Sequence, residues 1–210
     1  MRQLAQNPKG LLIDVGCGNG DKLELANQLG WQTLGIELDA SAVEGARLRG
    51  QNVIQGGYEL LQQYQAQADC IVCSHVLEHV HQPLRLLQLL LAALKADGAL
   101  LLSVPNASSH LRYLYGKNWR GLEAPRHLAM PDAAWLVGWL RAEGLTCAQV
   151  PSYGLETAIE SERIRRRGSH VETADVRNAK IVLSAQAHSG FDREDIVQLV
   201  CVRQTPNAFL

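Results

Sequence analysis

The most constraining stretch lies near the start. An apolar run, Leu11 to Val15, ends in glycines at 16, 18 and 20, and a helical pattern begins at Asp21. A strand that turns on glycines into a helix lets the backbone approach a ligand closely and points helix N–H groups at it. Such a turn requires an α/β fold around it, and the following residues supply one. The helix of Asp21–Leu29 leads to a strand at Thr33–Glu37. A helix capped by Ser41, with Glu44 completing a capping box, ends at Gly50. A short strand at Asn52–Gln55 and a weak helix over Tyr58–Tyr64 come next. Strand Asp69–Ser74, helix Gln82–Lys95 and strand Ala99–Val104 complete the alternation. The last of these strands is nearly all apolar, as expected of one covered on both faces of a parallel sheet. Alternation of this kind implies right-handed crossovers and a doubly wound sheet.

The pattern loosens after Val104. Residues 105–130 form a long connection rich in glycine, aromatic and basic residues, expected to act as a substrate or lid loop. A helix over Pro131–Glu143 and a strand over Thr146–Pro151 follow. Residues 152–195 read as a variable insertion, with a helix near Glu156–Arg167 and poorly defined structure after it. Ile196–Arg203 alternates and reads as the last strand. The 210 residues suit one domain spanning 1–210. A formal net charge of −1 supplies no global attraction to nucleic acid, so no nucleic-acid partner is expected. The leucine-rich run Leu84–Leu94 is too short for a bilayer and contains Arg85 and Gln88, so no stable membrane insertion is expected. The opening MRQLAQNPKG has no secretory apolar region. The five cysteines, odd in number and mostly in apolar runs, are expected to be reduced and buried in a cytoplasmic protein. Cys70 and Cys73 fall on opposite faces of a strand, which argues against a zinc or redox pair.

The ligand of the glycine turn can be narrowed. Glu37, at the end of the second strand, stands where a carboxylate accepts from a ribose diol. A dinucleotide would call for glycine at position 21, where the chain has Asp21, a negative charge close to any pyrophosphate. An adenosine ligand without phosphates, such as S-adenosylmethionine, meets neither objection. Asp14-Val-Gly-Cys-Gly-Asn-Gly20 resembles the first motif of class I S-adenosylmethionine-dependent methyltransferases. The resemblance continues through GIELDASAVEGAR (35–47), ADCIVCSHVLEHVHQP (68–83) and LKADGALLLSVPN (94–106), in the order of that family. The similar subgroup includes ubiquinone-biosynthesis O-methyltransferases and related bacterial enzymes, some with a stretch like NWRGLEAPRHL (118–128). The resemblance implies a Rossmann-like sheet of about seven strands, mostly parallel with the last antiparallel. It implies that Gly16, Gly18 and Gly20, with Cys17 among them, line the methionine part of the cofactor, and that Asp14 holds its amino group. Glu37 would take the ribose hydroxyls, Leu38 would pack on adenine, and Tyr58 would offer a backbone contact near the adenine edge. Ser74 and His75 would sit beside the sulfonium. Two departures stand out: Gln55-Gly56-Gly57-Tyr58 lacks the acid that often meets the adenine amino group, and only about ten residues precede the first strand.

The implied reaction carries a methyl group from S-adenosylmethionine to a small-molecule acceptor, with oxygen the default and S-adenosylhomocysteine the product. Alternatives are methylation of a sugar or lipid-linked envelope precursor, and a non-catalytic cofactor-binding sensor or scaffold. His127 and His75 are the candidates for catalysis, and His110, Trp119, Arg126 and His127 for acceptor contact. The spacing of His75, His79 and His81 is what a loop entering a helix produces, and no metal is expected there. Trp119, Tyr113 and Tyr115 either stack on an acceptor or anchor their loop. Trp135 and Trp139 belong to the core or to an interface, which leaves a homodimer open. The basic run Arg163–Arg167 has Glu156, Glu160 and Glu162 beside it, favouring internal pairing over phosphate contact.

Overall fold

A computed structural model describes residues 10–150, 155–186 and 195–203, and the statements below concern those residues. The first half alternates as expected: β1 (Leu11–Val15), α1 (Asp21–Gln28), β2 (Gln32–Glu37), α2 (Ala40–Leu48) and β3 (Val53–Gln55). A 3-10 segment at Tyr58–Tyr64 leads to β4 (Ala68–Ser74), a 3-10 turn at Leu77–His79, α3 (Pro83–Ala93) and β5 (Leu94–Pro105). The second half contains α4 (His110–Tyr115), α5 (Ala133–Ala142), β6 (Leu145–Gln149), α6 (Leu155–Arg166), α7 (Thr173–Gln186) and β7 (Ile196–Arg203). Together the strands make one seven-stranded sheet in the order β3-β2-β1-β4-β5-β7-β6. β1 to β5 run parallel, whereas β7 lies antiparallel between β5 and β6.

The order of the strands explains where a site can form. β1 is flanked by β2 on one side and β4 on the other, so the chain switches direction across the sheet there. Val15 stands level with Ile36 and Cys73, which brings the carboxyl ends of three strands to one rim. Ligands of open α/β sheets bind outside such a switch point. Beneath the rim the core is continuous. Leu86, Leu87 and Leu90 of α3 are buried with Ile13, Ile71, Leu100 and Leu102 of the strands. A separate cluster of Leu111, Tyr115, Trp119, Ala158 and Ala179 joins α4 and the residues after it to α6 and α7.

Several expectations change. The cap of α2 is Asp39, whose carboxylate accepts from the Ala42 N–H at 2.8 Å, and Ser41 lies inside the helix. Both side chains can cap; Asp39 ends the β2 connection in extended backbone and reaches the free N–H first. α3 stops at Ala93, short of Lys95. Leu94 pairs with Ala68 across an irregularity, and the Lys95 ammonium binds Asp69 at 2.7 Å, so tertiary pairing draws these residues into β5. The connection 105–130 is not irregular throughout: it holds α4 and 3-10 turns at Gly116–Asn118 and Arg120–Leu122. Within the stretch after 167, expected to be poorly defined, Thr173–Gln186 forms α7, whose Asp175 is bound by Arg166 of α6 at 2.8 Å. Arg163 and Arg165 pair with Glu160 and Glu162 on their own helix.

The expectation of reduced thiols holds for Cys17, Cys70 and Cys73 but not for Cys147 and Cys201. The latter stand directly opposite on β6 and β7, their Cα atoms 4.1 Å apart, and form a disulfide. Among the described residues no helix is long and apolar enough to cross a membrane. The opening residues 1–9, Pro151 and the part of the expected insertion at 152–154 and 187–194 lie outside the described residues.

Candidate active site

The glycine turn is shaped by backbone sterics. Gly16, Gly18 and Gly20 all have positive φ, a region that side chains rarely tolerate. A Cβ on Gly16 would lie 2.3 Å from Val76 Cγ2, whereas one on Gly18 would meet nothing within 4 Å. The first glycine therefore lets the chain pass, and the middle one leaves room above it. Glu37 fastens this turn to the end of β2. Its Oε2 accepts from the Gly18 N–H at 2.9 Å, and its Oε1 accepts from Leu38 and Asp39 at 2.7 and 2.9 Å. The Cys17 thiol packs into the core, where burial pushes its pKa up to about 12, and its Sγ–H donates to the Gly18 carbonyl at 3.7 Å. Asp21, whose charge counted against a pyrophosphate, is paired with Arg49. What still speaks against a dinucleotide is the lack of a glycine at that position.

Asp14 is the unusual group. It sits in β1, 0% exposed, and neither carboxylate oxygen has a hydrogen-bond partner. Burial raises its pKa from 3.8 to about 7, with Lys22 opposing and Glu37 adding to the rise. A buried carboxylate without donors is costly, and an ammonium group brought to it would supply both charge and donors.

A hollow of about 380 Å³ opens beside the turn. Gly16, Glu37, Leu38, Gly57, Tyr58, His75 and His79 line it. Leu38 is 72% exposed at its edge, where its side chain can cover a flat ligand. Eight of the residues expected to contact the cofactor lie in the turn or line this hollow: Gly16, Cys17, Gly18, Gly20, Glu37, Leu38, Tyr58 and His75. Ser74 is not: it lines a neighbouring groove with Lys22 and Ser103.

A second hollow of similar volume, about 380 Å³, lies on the other side of His75 and His79. Glu78, Arg120, Glu123, His127, Glu160 and Asp195 are among its lining residues. His75 forms the partition in left-handed backbone, φ 57°, with its N–H on the Ser103 carbonyl at 2.9 Å. A histidine held in that region marks a constrained position. Its Nδ1 lies 3.0 Å from Oε1 of Glu78, which is itself 0% exposed. His127 enters this hollow with its Nδ1–H on the Gly121 carbonyl at 2.6 Å.

The other candidates are placed differently. Trp119 is 1% exposed, and its indole N–H donates to Asp195 Oδ1 at 2.8 Å. It anchors its loop, one of the two roles left open by the sequence, and has no surface to offer an acceptor. Arg126 borders the first hollow, with its guanidinium on Glu123 at 2.8 Å. His110 lines a separate, broader depression of about 610 Å³ with Arg112 and Tyr113, away from His127. Sequence reasoning passed over Glu78 and Asp195. A carboxylate between apolar neighbours in Val76-Leu-Glu-His-Val80 was a usable signal for the first. Nothing local marks Asp195, whose pKa is raised by its burial, against the opposing hydrogen bonds of Thr157, Trp119 and Ser109.

Comparison with known proteins bears on this arrangement. A family model described as a methyltransferase domain matches residues 1–150. A ubiquinone biosynthesis O-methyltransferase of Xanthomonas campestris pv. campestris (strain B100) is 33% identical over 106 residues, 47% of this chain and 44% of that protein. The Xylella fastidiosa protein of the same description is 27% identical over 191 residues, 84% of this chain and 74% of its own. The chain thus spans under half the length of the first of these relatives, 44%. Among solved structures, a SAM-dependent methyltransferase from Archaeoglobus fulgidus superposes with a TM-score of 0.64 at 17% identity, covering 97% of this chain and 89% of that one. An S-adenosylmethionine-dependent methyltransferase from Mesorhizobium loti gives 0.62 at 19% identity, with coverage of 97% and 96%. At these identities the likeness is one of fold.

Proposed function

Because the chain belongs to the methyltransferase-domain family, we propose that it binds S-adenosylmethionine at the glycine turn and methylates an oxygen of a small-molecule acceptor. Asp14 carries this reading. A buried carboxylate with two unpartnered oxygens below a glycine turn is suited to an amino-acid ammonium, and a dinucleotide has none to offer it. Space above Gly18 admits the ligand, Glu37 keeps one lone pair, on Oε2, for a ribose hydroxyl, and Leu38 covers a flat ring.

The bound cofactor supplies a methyl group activated by a positive sulfur, so the protein's work is alignment, exclusion of water and control of one proton. The acceptor occupies the second hollow. His75 separates it from the cofactor side and touches both. Glu78 holds the imidazole through Nδ1, which leaves Nε2 to accept a hydroxyl proton. The ubiquinone-biosynthesis relatives are named as O-methyltransferases, which supports oxygen as the acceptor atom.

Calorimetric titration with S-adenosylmethionine, S-adenosylhomocysteine and NAD tests the cofactor assignment. Binding of the first two and not NAD is expected; binding of NAD alone overturns it. Glu37→Ala should weaken S-adenosylhomocysteine by about tenfold or more, through lost charged hydrogen bonds and a loosened turn. Unchanged affinity removes Glu37 from the site.

A further inference from the structure

We propose that Glu78, His79 and His127 form a binding site for one divalent transition-metal ion of the zinc and cobalt type. One potential ligand atom from each residue lies within 4.8 Å of the other two. The two rings meet edge to face with centroids 4.7 Å apart. Proximity alone would say little. Three further observations make this a built site.

The first is an unsatisfied buried atom. Glu78 is 0% exposed, its Oε1 is engaged by His75, and its Oε2 has no hydrogen-bond partner. A carboxylate oxygen in that position calls for a cation. The second is the orientation of both imidazoles. Nδ1 of His79 lies 3.1 Å from the Arg126 carbonyl, and Nδ1 of His127 lies 2.6 Å from the Gly121 carbonyl. A carbonyl can only accept, so each Nδ1 carries the proton and each Nε2 keeps its lone pair. Metal-binding histidines are oriented in this way by backbone carbonyls or carboxylates. The third is the scaffold. The Glu78 carbonyl accepts from the N–H groups of Leu128 at 2.7 Å and Ala129 at 3.2 Å. The segment carrying His127 is thereby fastened to the turn carrying Glu78 and His79. Glu123 Oε2, 3.5 Å from His127 Nε2, is already held by Arg120.

Two imidazoles and one carboxylate suit zinc, cobalt, nickel or iron better than magnesium, which prefers an all-oxygen shell. Three protein ligands leave at least one coordination position for another molecule. All three residues line the second hollow, so that position faces the acceptor side. An acceptor hydroxyl bound there would lose its proton more readily, beside the His75 base. This last role rests on the proposed methyl transfer; the binding of the ion does not.

The test uses untagged protein freed of metal by a chelator. Zn²⁺ is titrated by calorimetry, Co²⁺ by its visible absorption, and S-adenosylhomocysteine in the same samples. One equivalent of Zn²⁺ and of Co²⁺ is expected, with Mg²⁺ failing to compete. His127→Ala and Glu78→Gln should each weaken Zn²⁺ at least tenfold, and His81→Ala should not. S-adenosylhomocysteine binding by the variants serves as the check of folding. If a variant fails that check, the Co²⁺ spectrum of the wild type decides: imidazole-type bands support the site, and their absence overturns it. Substoichiometric Zn²⁺, or equal affinity in folded His127→Ala and Glu78→Gln, also overturns it. In the wild-type protein, failure to bind Zn²⁺ while S-adenosylhomocysteine binds removes only the metal; the reverse pattern removes only the cofactor reading.

Discussion

The two hollows on either side of His75 are built in different ways. The cofactor side is made of backbone and strand ends: the turn after β1, the end of β2 and the residues after β3. Apart from Arg126 at its border, its contributing segments lie between Val15 and Val80, and a parallel sheet sets their relative positions. The proposed acceptor side is made of residues from distant places: the turn after β4, the end of β5, the loop from Arg120 to His127, α6 and the start of β7. Its geometry depends on Trp119, Asp195 and the Glu78 carbonyl holding those places together. The first kind of site survives most side-chain changes outside its turn. The second is reshaped by any one of several.

The sharpest break of that contrast is at the partition. His75→Asn keeps a residue that tolerates left-handed backbone and removes the proposed base. Turnover is expected to fall on the order of a hundredfold or more, with S-adenosylhomocysteine affinity little changed in calorimetry. Wild-type turnover would reduce His75 to a wall. Next in size is Asp14→Asn. It removes charge from the proposed ammonium contact and should weaken S-adenosylhomocysteine ten- to a hundredfold, about 1.5–3 kcal/mol. Equal affinity in the variant would show that the buried carboxylate serves something else.

The same residue links stability to pH. Unfolded, Asp14 ionises near 3.8; in the folded chain it does so near 7. Between those values the folded state holds a proton that the unfolded chain has released. Its contribution to stability therefore falls as pH rises from about 4 to 7, by about 4 kcal/mol in total. Subtracting the Asp14→Asn urea-unfolding curves from those of the wild type at several pH values isolates this slope, and a flat difference refutes it. The smallest effect is expected on the acceptor side. Trp119→Phe deletes the indole bond to Asp195 and should cost about 1–2 kcal/mol in unfolding free energy, leaving cofactor affinity unchanged. A loss of cofactor affinity in that variant would mean the two hollows are not separable.

Much of the fold is legible in the amino-acid sequence. Each strand of the first half is an apolar run closed by a turn residue, and local rules suffice for such segments. The misplacements fall where two local signals compete or where a distant partner intervenes. Asp39 and Ser41 both resemble caps, and only the path of the chain out of β2 decides between them. Lys95 reads as the end of a leucine-rich helix until Asp69, across the sheet, draws it into β5. The helices within 105–130 and after 167 carry weak patterns because they bury their apolar residues against each other, in the cluster of Leu111, Trp119, Ala158 and Ala179.

The candidate site divides along the same line. Glycines 16 to 20 and Glu37 can be named from spacing, because a strand, a tight turn and a neighbouring parallel strand leave few places for them; Asp14 is named through the resemblance of its motif. The sequence by itself therefore determined the α/β alternation, the turn and the chemical type of ligand it suits. Tertiary structure decided which histidines meet. His75, His79 and His127 resemble His110 and His81 in a linear reading, yet the backbone bonds from Leu128 and Ala129 to Glu78 bring the first three together. The physical reason is range. Hydrophobic period and turn geometry act over a few residues, whereas a cluster of polar side chains at the sheet rim requires contacts between segments some fifty to a hundred and twenty residues apart, and no local pattern encodes these.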